Sequence, residues 1–141
     1  MHRGFCYFYK SSFFNEKVIF TKDAPAPIGP YSQAIMVDNT LYVSGQIALD
    51  PFTGELVIAN IEEETRRVLD NMKAVLHAAE MDFSHIAKCS VFVKDINQFS
   101  KINAVYSEYF AEIGAPAREL VEVANLPKFV NVEISCIAYK S

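Results

Sequence analysis

The chain has 141 residues, 51% hydrophobic and 21% charged, with a net charge of −4. That length and balance describe one domain with a real core and exclude a disordered chain. No basic block offers the electrostatic footprint of a nucleic-acid binder, and no apolar run approaches the ~20 residues of a membrane-spanning helix. Residues 1–15 hold six aromatics, Arg3 and Lys10, and no acid. They read as an N-terminal extension to a single domain over 16–141. The expectation is that the extension's aromatics pack on the domain surface or on a neighbouring subunit. A transit peptide would carry more Arg and Ser.

Residues 16–21 predict a first strand, with Val18 and Phe20 on one face. Pro25, Pro27, Gly29 and Pro30 then enforce a loop that delivers Tyr31. Residues 31–37 and 41–46 predict a hairpin around Asp38-Asn39. A glycine inside that second strand, in Ser44-Gly45-Gln46, signals a bulge or a close approach to the backbone. Residues 50–54, DPFTG, form a turn.

Residues 61–81 are the clearest helix. Ile61, Thr65, Val68, Leu69, Met72, Val75, Leu76 and Ala79 follow the i, i+3, i+4 rule. Asn60 is the N-cap, and Glu62, Glu63 and Glu64 suit the positive end of the dipole rather than a ligand site. His77 falls on the solvated side. Residues 86–94 predict a strand with Ala87, Cys89, Val91 and Val93 on the core side. Asp95 or Asn97 caps a second helix to residue 113. Its buried stripe is Phe99, Ile102, Tyr106, Tyr109 or Phe110, and Ile113. Asn103 lies beside that stripe as a polar group needing a partner. Gly114 ends the helix.

The last residues carry the chemistry. Residues 118–124 are β-rich and open on Arg118. Asn125-Leu126-Pro127-Lys128 has turn chemistry. Residues 130–139 alternate cleanly, with Val130, Val132, Ile134, Cys136 and Ala138 as the core face. The pair of strands reads as a hairpin. The opposite face of the last strand carries a lone carboxylate, Glu133, among apolar neighbours in sequence, which is costly unless the charge is paired or working. For Arg118 the ordinary reading is a strand-end arginine, solvated or paired with Glu119 or Glu122. The sharper one is a guanidinium fork for a carboxylate ligand. Cys6, Cys89 and Cys136 are widely spaced with no C-x-x-C, and Cys89 and Cys136 read as small buried hydrophobes in a reducing compartment. His2, His77 and His85 form no ligand cluster, so no metal is expected.

Two helices and about six strands make an α+β two-layer domain, one mixed sheet with both helices on one face. The other face is half polar and half apolar, as in Ser90 and Phe92 or Ser135, Ile137 and Tyr139. That mixture predicts burial against copies of the same chain in a closed oligomer.

Six segments in order carry a resemblance: APAPIGPYSQA, LYVSGQIALDPFTGEL, LDNMKAVL, SVFVKDINQF, NAVYSEYF and PARELVEVANLP with VEI and IAY. From residue 17 to the end the chain resembles the RidA (YjgF) family, the reactive intermediate deaminases. The resemblance implies a chorismate-mutase-like fold. It also implies a homotrimer around a central β-barrel with clefts between subunits. It implies hydrolysis of 2-imino and 2-enamino acids, such as 2-aminoacrylate and 2-iminobutanoate, to 2-keto acids and ammonia, with no metal or organic cofactor. By position, Arg118 would bind the substrate carboxylate, Glu133 would direct the water, Tyr31 would join the catalytic set, and Ser44-Gly45, Asn103 and Leu120 would line the substrate. Leu120 stands where many relatives have a cysteine, which removes any thiol role. Ala115 replaces the aromatic often found before the proline, and the shorter loop widens the cleft. Tyr31 or Glu133 would reach the cleft from a neighbouring subunit. With cysteines that suit a reducing compartment, the expected location is cytoplasmic, with mitochondria as the alternative. The competing readings are a small-carboxylate-binding or regulatory trimer without turnover, and a ribonuclease or translation inhibitor.

Overall fold

In the computed structural model, which describes residues 15–141, the expected elements form with altered ends. The expectation for the N-terminal aromatics lies outside the described residues. The strands are β1 (Glu16–Ile19), β2 (Ala34–Val37), β3 (Thr40–Gln46), β4 (Ile86–Val93), β5 (Ala117–Glu122) and β6 (Val132–Tyr139). The helices are α1 (Ile61–Ala78) and α2 (Phe99–Phe110). One six-stranded sheet runs β1-β2-β3-β6-β4-β5. Only β4 and β5 are parallel, and α2 is the crossover that a parallel pair requires.

Both helices lie on one face, because their apolar stripes share one core with the sheet. Val68, Leu69, Met72, Val75 and Leu76 of α1 meet Ile102, Val105, Tyr106 and Phe110 of α2 over Leu41, Val91, Ile134 and Ala138. α1 forms where its cap and period place it: Asn60 accepts from the Glu63 N–H at 2.8 Å. The alternation read in the last strand also holds, with Val130, Val132, Ile134, Cys136 and Ala138 all buried. Cys89 and Cys136 sit opposite each other on β4 and β6 as free, buried thiols. Burial pushes the ionisation of both upward, so they behave as apolar filling.

Four expectations need correction. Residues 117–122 and 132–139 do not pair as a hairpin. β6 has β3 and β4 on its two edges, and β5 pairs only with β4. The connection over residues 123–131 crosses the end of β4. There the Val123 N–H bonds the Val93 carbonyl and the Lys94 N–H bonds the Asn131 carbonyl, both at 2.9 Å. Second, Ala87 is exposed and Ile86 is buried. A break in register between Ile86 and Lys88 opposite β6 resets the alternation there. Third, α2 spans only Phe99–Phe110, so Phe99, its first residue, and Ile113, beyond its end, are exposed. Asp95 caps a single 3₁₀ turn before the helix. Fourth, Glu64 does sit in the first turn of α1, but it is fully buried and reaches across to Asn131 and Val132 rather than acting through the dipole alone.

The face away from the helices is open in one chain. Val18, Tyr42, Ile137 and Tyr139 are exposed on it, and Tyr42 pairs directly with Ile137 across β3 and β6. No helix among the described residues is long and apolar enough to cross a membrane.

Candidate active site

Glu133 lies on the open face. Its sequence neighbours Val132 and Ile134 point into the helical core, so the pleat turns its side chain the other way. Gly45 lies under that carboxylate. A Cβ added at Gly45 would stand 2.4 Å from Glu133 Oε1 and 2.8 Å from Cδ. The close approach foreseen for Gly45 is therefore an approach by a carboxylate. The foreseen bulge is present too, since the β3–β6 register shifts between Val43 and Gln46.

Around this pair lies an open cavity of about 360 Å³, lined by Ile28, Tyr31, Ser44, Gly45, Ile47, Pro127 and Glu133. The Pro-rich loop brings Tyr31 to it. Buried Gln33 anchors that loop. Its amide donates to the Thr21 carbonyl at 3.0 Å and the Pro25 carbonyl at 2.9 Å, and its oxygen accepts from the Thr21 N–H at 2.7 Å. The Tyr31 oxygen accepts from the Ile28 N–H at 3.1 Å, which leaves its own proton free to donate into the cavity. Ser44 is tied inward: its hydroxyl donates to the Ser32 carbonyl at 2.6 Å and its N–H to the Gln33 carbonyl at 3.0 Å.

Among the described residues Glu133 has no hydrogen-bond or ion-pair partner. Half-buried, it is desolvated, and desolvation raises its pKa above the ordinary glutamate value. An unpaired carboxylate in a cavity, with a raised pKa, is the arrangement of a group able to hold and deprotonate a water.

Arg118 lies elsewhere. It pairs with Cys89 across β5 and β4, and Cys89 faces the helices, so Arg118 does too. Its Nη1 donates to Asn103 Oδ1 at 2.7 Å. Its guanidinium carbon stands 4.7 Å from the Tyr106 ring centre and 5.9 Å from that of Phe99. Each is a cation–π contact. Among the described residues the Tyr106 hydroxyl is buried without a hydrogen-bond partner. Burial, with the Cys89 thiol alongside, pushes its ionisation up and keeps the ring neutral. Glu119 bonds Ser90 at 2.6 Å and Lys88 at 3.1 Å, and Glu122 accepts from the Ile96 N–H at 3.1 Å. Neither acid pairs with Arg118, so the ordinary reading of a strand-end ion pair does not hold. The guanidinium keeps donors to spare.

The expected set thus falls into two groups. Tyr31, Ser44, Gly45 and Glu133 converge on the open face. Arg118 and Asn103 converge at the β5 edge of the helical face, and Leu120 packs against the core beside them. β4 separates Arg118 from Glu133, and the two side chains leave the sheet on opposite sides. Sequence reading missed Tyr106 and Phe99 as the shelf for Arg118, assigning both to the core. The i, i+3 spacing of Asn103 and Tyr106 was the available signal. Gln33 gave no signal at all. Among the described residues, no group of His, Cys, Asp and Glu could hold a metal ion.

The family model for endoribonuclease L-PSP matches residues 21–140. A RutC family protein of Pyrococcus horikoshii is 54% identical over 125 residues, covering 89% of this chain and 98% of the relative. The 2-iminobutanoate/2-iminopropanoate deaminase of Bos taurus is 48% identical over 122 residues, covering 86% of this chain and 88% of the relative. Among solved structures, the YjgF gene product of E. coli superposes with a TM-score of 0.85 at 46% identity, covering 89% of this chain and 99% of that one.

Proposed function

The chain belongs to the L-PSP family, the group that includes the RidA/YjgF deaminases, and from that membership we propose that it hydrolyses small 2-imino acids to 2-keto acids and ammonia. The observation that carries the reading is Arg118: a guanidinium held in place by Asn103 and Tyr106, with no carboxylate among the described residues upon it. Arg supplies two parallel donors to a ligand carboxylate, each charge-assisted bond contributing about 1.5–3 kcal/mol. The substrate R–C(=NH)–COO⁻ then presents its C=N carbon to a water held by ionised Glu133. Glu133 takes a proton as the C–O bond forms. The resulting carbinolamine collapses as the C–N bond breaks, with a proton delivered to the leaving nitrogen, and keto acid and ammonia result. Tyr31, whose hydroxyl proton is uncommitted, donates to the substrate. A placed acid–base group contributes roughly 10²–10⁴-fold, and holding water and imine together supplies more.

The separation of Arg118 from Glu133 bears on assembly. Within one chain the anion receptor and the water-holding acid face opposite ways. A cleft between two copies would bring one chain's Arg118 to the other's Tyr31 and Glu133. That geometry, with the exposed Tyr42, Ile137 and Tyr139, supports a homotrimer with shared clefts. RNA cleavage is the weaker reading: His77 and His85 lie outside the Glu133 cavity, and the net charge is −4. The test is ammonia release from freshly generated 2-aminoacrylate with the protein present. Acceleration that disappears in Arg118→Ala supports the proposal. Bound keto acid without any acceleration would replace it with a binding role.

A further inference from the structure

Glu64 is a fully buried carboxylate that the proposed chemistry does not use. Its Oε1 accepts from the Asn131 N–H at 2.7 Å and the Val132 N–H at 3.2 Å, and its Oε2 accepts from Asn131 Nδ2 at 2.8 Å. No cation pairs with it among the described residues. The charge is instead carried by these N–H groups and by the first turn of α1, whose dipole favours an anion. All three donors belong to the two residues that immediately precede Glu133. A salt-free buried charge is a costly way to end a strand, so its placement calls for an account.

The turn just before the pair it grips is strained. Lys128 and Phe129 both hold φ near +55°, a left-handed backbone disfavoured for residues with a Cβ. Phe129 is 82% exposed, so burial of its ring does not offset that cost. Strained turns persist where surrounding contacts over-determine them. Here the turn runs from Pro127, a wall of the Glu133 cavity, to the Asn131–Val132 pair that Glu64 holds, with the Phe129 N–H bonded to the Leu126 carbonyl at 3.0 Å between them. A turn left to relax would move both Pro127 and the first residues of β6.

We infer that Glu64 is a positioning residue for the hydrolysis: by clasping Asn131 and Val132 it fixes the aim of Glu133 over Gly45. This rests on Glu133 being the water-directing acid. The clasp reaches only the Glu133 half of the site, since Arg118 sits on β5, beyond β4. Its loss therefore falls on the chemical step and not on anchoring of the substrate carboxylate.

The test assays the full chain on freshly generated 2-aminoacrylate at about pH 8, where two facing carboxylates repel. Asn131 is exposed, so Asn131→Asp turns its donor into a repelling acceptor without opening the core. Expected is a kcat about tenfold lower with KM changed less than about twofold, as for a misaimed catalytic group. Adding Glu64→Gln, which gives the new aspartate an amide donor, restores kcat to within about threefold. In a Glu133→Gln background, Asn131→Asp costs nothing further, because the group it misaims is already disabled. If Asn131→Asp does not fold, Asn131→Ala, which removes one bond only, carries the same comparison with a loss of about threefold. An unchanged kcat, or an equal loss with and without Glu133, overturns the inference and leaves the deaminase reading standing. A Glu133→Gln protein as fast as its parent overturns both, and that arm is read separately.

Discussion

The Arg118 and Glu133 regions hold opposite charges in opposite ways. Arg118 is tied down by its own chain: Asn103 takes one donor and Tyr106 lies beneath the guanidinium plane. Glu133 is left alone. It is half-buried, crowded by Gly45, unpartnered among the described residues and pushed toward its neutral form by desolvation. A receptor for an anion must be rigid before the anion arrives. An acid–base group must be unsatisfied, or its proton affinity would not match the reaction. One region is finished and one is not, and a sheet strand keeps them apart in each chain.

Replacing the unfinished group tests the contrast hardest. Glu133→Gln should lower kcat by roughly 10²–10⁴-fold without lowering the melting temperature at neutral pH. The sign follows from the raised pKa: the folded state holds the Glu133 proton more tightly than the unfolded one, so its contribution to stability is fully present below the unfolded pKa and is lost as pH rises through the folded one. The glutamine escapes that loss. In the parent, kcat should fall as pH drops through a value above the ordinary glutamate pKa of about 4.3. A thermal-shift and rate series across pH checks both.

Arg118→Ala should cut kcat/KM by about 10²-fold or more, the loss of two charge-assisted bonds. Arg118→Lys should recover only part, because an ammonium keeps the charge and loses the fork. If clefts are shared between chains, co-assembling Arg118→Ala with Glu133→Gln regenerates clefts with both groups intact. Mixed oligomers should then regain roughly a quarter of the activity, in line with random pairing. Mixtures that stay inactive would break the shared-cleft account.

Gly45→Ala probes the crowding. Its methyl meets the end of a flexible side chain and not backbone. The fold should therefore yield little while Glu133 is displaced, giving a kcat loss of about tenfold to a hundredfold with a small change in melting temperature. The smallest effect is expected of Tyr31→Phe, which removes one donor: a loss of about threefold to tenfold, read in the same ammonia assay. No loss would remove Tyr31 from the chemistry and leave it as a wall of the cavity.

Much of this was legible beforehand. The α1 stripe and its Asn60 cap, the β6 alternation and the special status of Gly45 all follow from local periods and from the one residue without a Cβ. Glu133 stood out because a charge among apolar neighbours needs a reason, and Arg118 because a guanidinium opening a β-rich run can serve as a fork for a carboxylate. Ala87 was misplaced because a bulge near Ile86 resets the pleat, and nothing in that stretch marks a bulge. The final hairpin was misread because two β-rich runs around a turn invite local pairing. Here β6 inserts between β3 and β4, and β5 follows β4 in parallel.

The amino-acid order by itself decided which side chains can carry a charge or a proton and, in most elements, which face is apolar, because both depend on side-chain chemistry and on periods a few residues long. Tertiary structure alone decided that Arg118 and Glu133 leave the sheet on opposite sides, that Glu64 binds Asn131 and Val132, that Gln33 ties down the Pro-rich loop and that Tyr106 lies against Arg118. Those facts depend on which strands become neighbours. That choice is made by the burial of the whole core at once, and no window of the chain records it.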